Sequence, residues 1–196
     1  NPFGNRMSMN ELNEYLDSLE QLRDKWKNVI NVTIGLEIEY FPQYKRYYEM
    51  LKNNPHIQIL ILGQHMYASP NGQYSFTLPK HTRESEEYLG LGNAIIEGLE
   101  TGFFPVVAHP DRIFRNHKVF GKNEYDISCK IIEAAIQKDA TLEINKSSID
   151  AGLYVHEFWE IAKQRKAKII FGLDAHSPQE IYLWDHKTYA KSKEII

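Results

Sequence analysis

Several things are scarce in this chain of 196 residues, and each shortage excludes a class of protein. It has one cysteine, Cys129, which rules out an intrachain disulfide and a multi-cysteine zinc site and makes a reducing cytoplasm the expected location. Any bound metal would have to rest on histidine and carboxylate. No apolar run approaches the roughly 20 residues of a membrane helix, and the N-terminus lacks the basic-then-apolar form of a secretory leader, so no membrane partner is expected. Neither sign of charge dominates: Lys and Arg number 23 against 26 Asp and Glu, for a net charge of -3. That balance does not suit a dedicated nucleic-acid binder. A G-x-S-x-G elbow, a P-loop and a G-x-G-x-x-G turn are all missing, which removes the usual serine-hydrolase and nucleotide-binding readings. Low-complexity tracts and shifts of composition are missing too, so residues 1–196 read as one globular domain.

What is present is a βα rhythm. The first residue is Asn1 and residues 1–6 read as a loop, so upstream residues are expected. Ser8 and Glu11 then form an S-x-x-E capping pattern ahead of Leu12, Tyr15, Leu16, Leu19 and Trp26, whose spacing predicts an amphipathic helix. Strands are predicted over residues 29–39, 58–62, 104–108, 141–144 and 168–171, with room for helices between them. Two helical stripes are clear, Tyr88, Leu91, Ile95 and Leu99, and Val155, Phe158, Trp159 and Ala162. Cys129 shares a third with Ile132 and Ile136 and reads as a small core residue. Residues 66–80, which include Pro70, Asn71 and Gly72, and residues 113–123 read as two long loops. The pattern as a whole predicts an α/β protein built on a parallel sheet or barrel.

Chemistry-bearing residues stand just after the strands: Glu37 and Glu39, then His65, then His109 with Asp111 and Arg112, then Asp174 and His176. In α/β barrels the C-terminal ends of the strands converge on one mouth, so groups far apart in sequence surround one point. Imidazoles mixed with carboxylates suit Zn, Mn or Fe, whereas Mg or Ca would call for oxygen donors throughout. Asp174 and His176, two residues apart at a strand end, are expected to face the same side. Arg112 and Arg115 would supply guanidinium forks for phosphate oxygens, so the site is expected to take an anionic ester. Of the two early carboxylates, Glu37 is the expected ligand and Glu39 an outward or supporting group. Asp111 could be a loop cap, and Glu143 and Asn145 read as a solvated strand end, with a supporting role at the site as the alternative. His56, His81, His117, His156 and His186 follow no strand end and read as surface residues.

The ordered set G-x-E-x-x-Y, G-x-H-x-Y, A-H-P-D-R, L-E-I-N and G-x-D-A-H-S-P resembles the PHP superfamily (polymerase and histidinol phosphatase), especially its histidinol-phosphate phosphatase branch. The resemblance spans about residues 8–180. It implies a distorted (β/α)7, TIM-like barrel whose mouth holds up to three divalent metals and hydrolyses a small-molecule phosphate ester through a metal-bound hydroxide. It also implies that Glu37 bridges, that His65 and His109 complete one metal site, that Asp174 serves a second metal and that His176 serves a third. The family's initial H-x-H strand, a third His soon after it and a further His after the second strand have no counterpart here. The barrel is therefore expected to be N-terminally incomplete, with open sheet edges. Histidinol phosphate is the first candidate substrate. The rivals are a protein-tyrosine phosphatase or nuclease of the same superfamily, and a non-catalytic scaffold. Oligomeric state is left unspecified.

Overall fold

A computed structural model describes residues 7–69, 72–76, 84–117, 119–182 and 186–195. Helix α1 (Met9–Trp26) starts where the capping pattern predicts, and the Glu11 carboxylate accepts both the backbone N–H and the hydroxyl of Ser8 at 2.7 Å. Its buried face carries Leu12 and Leu16, and the Tyr15 hydroxyl donates to the Gly35 carbonyl at 2.9 Å, tying the helix to the first strand.

The remaining elements follow as β1 (Gly35–Ile38), α2 (Lys45–Lys52), β2 (Ile59–Leu62), β3 (Met66–Ala68), β4 (Tyr74–Phe76), α3 (Glu84–Glu100), β5 (Val106–Ala108), α4 (Lys122–Gln137), β6 (Thr141–Asn145), α5 (Lys146–Asp150), α6 (His156–Gln164), β7 (Lys168–Gly172), α7 (Pro178–Tyr182) and α8 (His186–Ile195). Short 3-10 turns at Pro42–Tyr44 and Pro110–Phe114 lead out of β1 and β5. Five strands form one parallel sheet in the order β1-β2-β5-β6-β7, as a βα barrel wall requires, and among the described residues β1 and β7 each pair on one side only.

The first strand is shorter than the sequence suggests. Residues 29 and 30 donate their N–H groups to the Trp26 carbonyl, which prolongs the helical turn, and Val29 and Ile30 remain exposed. Only from Gly35 does the chain find a ladder partner, in register with Ile59. The expected loop at residues 66–80 also differs, because β3 and β4 pair antiparallel with Tyr67 opposite Ser75. Two backbone hydrogen bonds close the connection, from Ser69 to Gln73 and from Gly72 to Ser69, both at 2.8 Å. Pro70, Asn71 and residues 77–80 of that segment lie outside the described residues.

Packing follows the predicted stripes. Tyr88, Leu91, Ile95 and Leu99 of α3 and Phe158, Trp159 and Ala162 of α6 are buried in one hydrophobic cluster with Leu62, Val107, Leu142 and Ile144 of the sheet. Each large side chain removed from water contributes about 1.5–3 kcal/mol before entropy is counted, so this layer holds the strand ends in place. Cys129 is buried as expected, with the Arg165 guanidinium 3.2 Å from its sulfur, but Ile136 at the end of the same stripe is exposed. Helix α4 ends one residue later, where the Lys138 N–H caps it on the Ala134 and Ile136 carbonyls.

Candidate metal centre

The C-terminal ends of β1, β2 and β5 deliver Glu37, His65 and His109. One donor atom from each lies within 4.8 Å of the other two, and among the described residues no other group of three His, Cys, Asp or Glu meets that condition. Glu37 stands on β1 opposite Ile61 of β2 and reaches across the sheet end. Gly63 makes that reach sterically possible: a Cβ there would lie 1.9 Å from Glu37 Oε1, so any other residue would expel the carboxylate.

His65 follows two residues later, its ring Nδ1 3.1 Å from the Gly63 carbonyl. A proton on Nδ1 satisfies that contact and leaves Nε2 as the lone-pair donor. Glu39 stands behind the ring, its Oε1 3.7 Å from Nδ1 and its side chain 7% exposed. It therefore does not point outward; residues two apart at a strand end share a side, and both carboxylates serve this corner.

His109 is buried and sits in the left-handed backbone region, φ 34 and ψ 55, which turns the chain sharply from β5 into the 3-10 turn. Its Nε2 is 3.6 Å from Glu37 Oε1, and its ring packs edge-on against that of His65 with centroids 5.0 Å apart. Burial disfavours the imidazolium, but the Glu37 carboxylate, with Glu143 behind it, outweighs that, so the His109 pKa is raised. Two imidazoles and a carboxylate converging beside a cleared backbone position fit a borderline divalent ion such as Zn, Mn or Fe.

The other expected residues lie around this trio at different depths. Arg112 is half-buried, and its Nε is shielded from solvent without a hydrogen-bond partner. Burial and the neighbouring Arg115 charge lower its pKa, opposed by Asp174, Glu37 and Glu87. Arg115 is exposed; its backbone N–H donates to the Arg112 carbonyl at 3.0 Å and its charge opposes that of Arg112. Asp174 lies past the end of β7 at φ 52, with Oδ2 3.5 Å from Asn145 Nδ2. His176 is 78% exposed in its side chain, and its Nδ1 is 2.8 Å from the Asp174 carbonyl. The alternation expected for these two does not operate, because β7 ends at Gly172 and Asp174 turns left-handed. Asp174 and His176 are not part of the close trio.

Two further readings change, and one holds. Glu143 and Asn145 are not a solvated strand end: Asn145 is buried and caps α5 by accepting the Ser148 N–H at 2.8 Å, and Glu143 Oε2 is shielded from solvent with no partner. Burial, together with Asp174 and Glu37, raises the Glu143 pKa to about 7. Asp111 is a cap of unusual depth. Its Oδ2 accepts the Val155 N–H that opens α6 and the Trp159 indole N–H, both at 2.9 Å. His117, read as a surface residue, is mostly buried with Nε2 2.9 Å from Glu124, which in turn accepts the Gly121 N–H at the start of α4. His56 pairs with Glu20 on the surface, and His81 lies outside the described residues. Gln64 is a residue the sequence did not flag. It is buried, accepts the Tyr40 N–H at 2.8 Å and donates to the Met66 carbonyl at 2.6 Å, locking the segments that carry Glu39 and His65. Its only signal was its place between Gly63 and His65.

Comparison with known proteins bears on the family and the fold. A protein of Deinococcus radiodurans named probable histidinol-phosphatase is 22% identical over 189 residues, covering 90% of this chain and 69% of the relative. The crystal structure of histidinol phosphate phosphatase from Lactococcus lactis, complexed with zinc, L-histidinol and phosphate, superposes with a TM-score of 0.73 at 18% identity, covering 94% of this chain and 73% of that one. That likeness shows the fold, a TIM-like α/β barrel architecture of which the five-stranded parallel sheet is the visible wall. Residues 3–147 match the PHP domain, three quarters of the chain and all of the Glu37, His65 and His109 corner, and the chain belongs to the PHP domain family.

Proposed function

We propose that this protein is a metal-dependent phosphatase that hydrolyses a small phosphomonoester, with histidinol phosphate as the first substrate to test. The convergence of Glu37, His65 and His109 in a PHP domain carries this reading. The substrate class draws support from the Deinococcus relative's name and from the zinc, L-histidinol and phosphate held by the Lactococcus protein.

In this reading Glu37, His65 and His109 hold a divalent ion, Zn, Mn or Fe, while Asp174 and His176 serve further ions, up to three in all. A bound ion of this kind lowers the pKa of water and neutralises charge developing on a phosphoryl group. The chain's own residues do the rest. The Gly63 carbonyl favours the His65 tautomer with its proton on Nδ1, and Glu39 behind that ring would support the ring electrostatically were Nε2 to hold an ion. Arg112, half-buried in the turn after His109, would offer its guanidinium to phosphoryl oxygens, and Arg115 adds long-range attraction for the anion. Asp111 fixes the turn bearing both His109 and Arg112 by anchoring it to α6. Metal ligand and phosphate donor thus keep a constant separation.

The test is phosphate release from histidinol phosphate by the purified native protein supplied with Zn or Mn, beside a phosphotyrosine peptide. The reading predicts turnover of the small ester and a loss of at least about 100-fold in His109→Ala. Unchanged release in His109→Ala, or preference for the peptide, would overturn it.

A further inference from the structure

The chain that delivers Glu37 stays extended beyond Ile38, where its ladder with β2 ends. The Gln64 side-chain amide accepts the Tyr40 N–H at 2.8 Å and donates to the Tyr40 carbonyl at 3.3 Å, pairing with both groups of one residue as a neighbouring strand would. On the opposite edge the Tyr48 hydroxyl accepts the Phe41 N–H at 2.8 Å and donates to the Glu39 carbonyl at 2.9 Å. Phe41 itself is extended, at φ -134 and ψ 123. Alternation therefore runs on from Glu37 through Glu39 to Phe41. Leu36, Ile38 and Tyr40 turn to the hydrophobic core, and Phe41 lies on the side of the two carboxylates.

Three aromatic rings gather there. Tyr74, on the hairpin that follows His65, meets the half-buried Phe41 ring at 90° with centroids 4.7 Å apart, and Tyr44 meets it at 88° and 6.0 Å. The Tyr74 hydroxyl donates to Gln43 Oε1 at 2.8 Å, which holds the hairpin against the turn after β1. Tyr44 and Tyr74 remain 53% and 38% exposed, so the cluster closes no core; it offers aromatic surface to solvent beside the metal corner. Flat groups gain most on such a surface, through offset or edge-on ring contact. We propose that Phe41, flanked by Tyr44 and Tyr74, is a specificity-determining wall that receives a planar ring carried by the alcohol half of the phosphate ester. Phe41 stands two residues past Glu39 and four past Glu37, so the ring it meets is joined to the phosphoryl group through a spacer of several bonds. Histidinol phosphate has that form, whereas the ring of phosphotyrosine carries the ester oxygen directly. The inference rests on the phosphatase reading of this site and deepens it; the wall touches neither the ion nor the phosphoryl group.

The experiment compares histidinol phosphate with alaninol phosphate, the same amino alcohol ester without its ring, in the native protein supplied with Zn or Mn. The variants are Phe41→Leu, which keeps apolar bulk but no flat face, and Phe41→Tyr, which keeps the ring. Wild type is expected to favour histidinol phosphate in kcat/KM by at least about 10-fold, and Phe41→Leu to cut that preference to about threefold or less through a higher KM. Phe41→Tyr is expected to keep the preference, and kcat/KM for alaninol phosphate to stay within about threefold of wild type in both variants. Equal kcat/KM on the two esters in wild type, or a preference that survives Phe41→Leu, would overturn the proposal. So would an equal loss on both esters, which assigns the effect to the fold or the metal, and an equal loss of preference in Phe41→Leu and Phe41→Tyr. Should Phe41→Leu fail to fold, Tyr74→Leu must cut the preference at least about threefold for the proposal to stand. Phosphate release from neither ester by wild type would refute the phosphatase reading. Calorimetry of L-histidinol against alaninol then decides the wall by itself: tighter binding of the ring-bearing alcohol that Phe41→Leu removes upholds it, and equal affinities overturn it.

Discussion

The two sides of the sheet's mouth are built differently. On the β1, β2 and β5 side, the three converging side chains are interlocked: Glu37 fills the space left by Gly63, His65 leans on the Gly63 carbonyl and on Glu39, and His109 faces Glu37. At the β7 end, Asp174 sits in a left-handed turn beyond the last ladder pair, and His176 lies mostly in solvent with its Nδ1 turned back to its own chain. β2 and β5 pair on both sides beneath packed helices, whereas β7 pairs only with β6 among the described residues and leaves Ile170 half exposed. A strand end presents a preorganised group when packed neighbours hold the side chain, as Gly63 and His109 hold Glu37 even on the edge strand β1, and the residue types alone do not guarantee it.

Substitutions can break or sharpen that contrast. The largest effect beyond His109→Ala is expected from Gly63→Ala. Its new methyl cannot share space with the Glu37 carboxylate, so zinc affinity should fall about 10–100-fold in calorimetry while circular dichroism stays native. Next comes Arg112→Met, of similar length but without the fork. It should raise the KM for the phosphate ester about 10-fold or more and leave zinc affinity within about threefold, separating ester binding from metal binding. The smallest effect is expected from His176→Ala, which should change the tightest zinc affinity by less than about threefold because that side chain is solvated and outside the trio. A large loss of that affinity in His176→Ala would mean that the two sides are coupled, and the contrast would fail.

Most of the parallel sheet and the strand-end positions of Glu37, His65 and His109 were legible in the sequence, because apolar runs punctuated by Gly-x-Glu, Gly-x-His and Ala-His-Pro carry their own boundaries. What escaped has physical causes. The β3 and β4 hairpin is made of three-residue strands around a Pro-Asn-Gly segment, too short to show alternation. Val29 and Ile30 have strand propensity but no ladder partner, so the helical turn claims their N–H groups. Glu143 and Asn145 resemble any polar strand end, and their burial depends on Gly172 and Asp174, some 30 residues later in the chain. Gln64 and Asp111 work through backbone groups that no residue pattern displays.

The most direct test of the account is anomalous diffraction at the zinc edge from crystals of the zinc-loaded protein. The account predicts a peak at about 2.0–2.2 Å from one Glu37 oxygen and from one ring nitrogen each of His65 and His109. A zinc-saturated crystal with no peak in that corner, or with its strongest peak at His176, would contradict it.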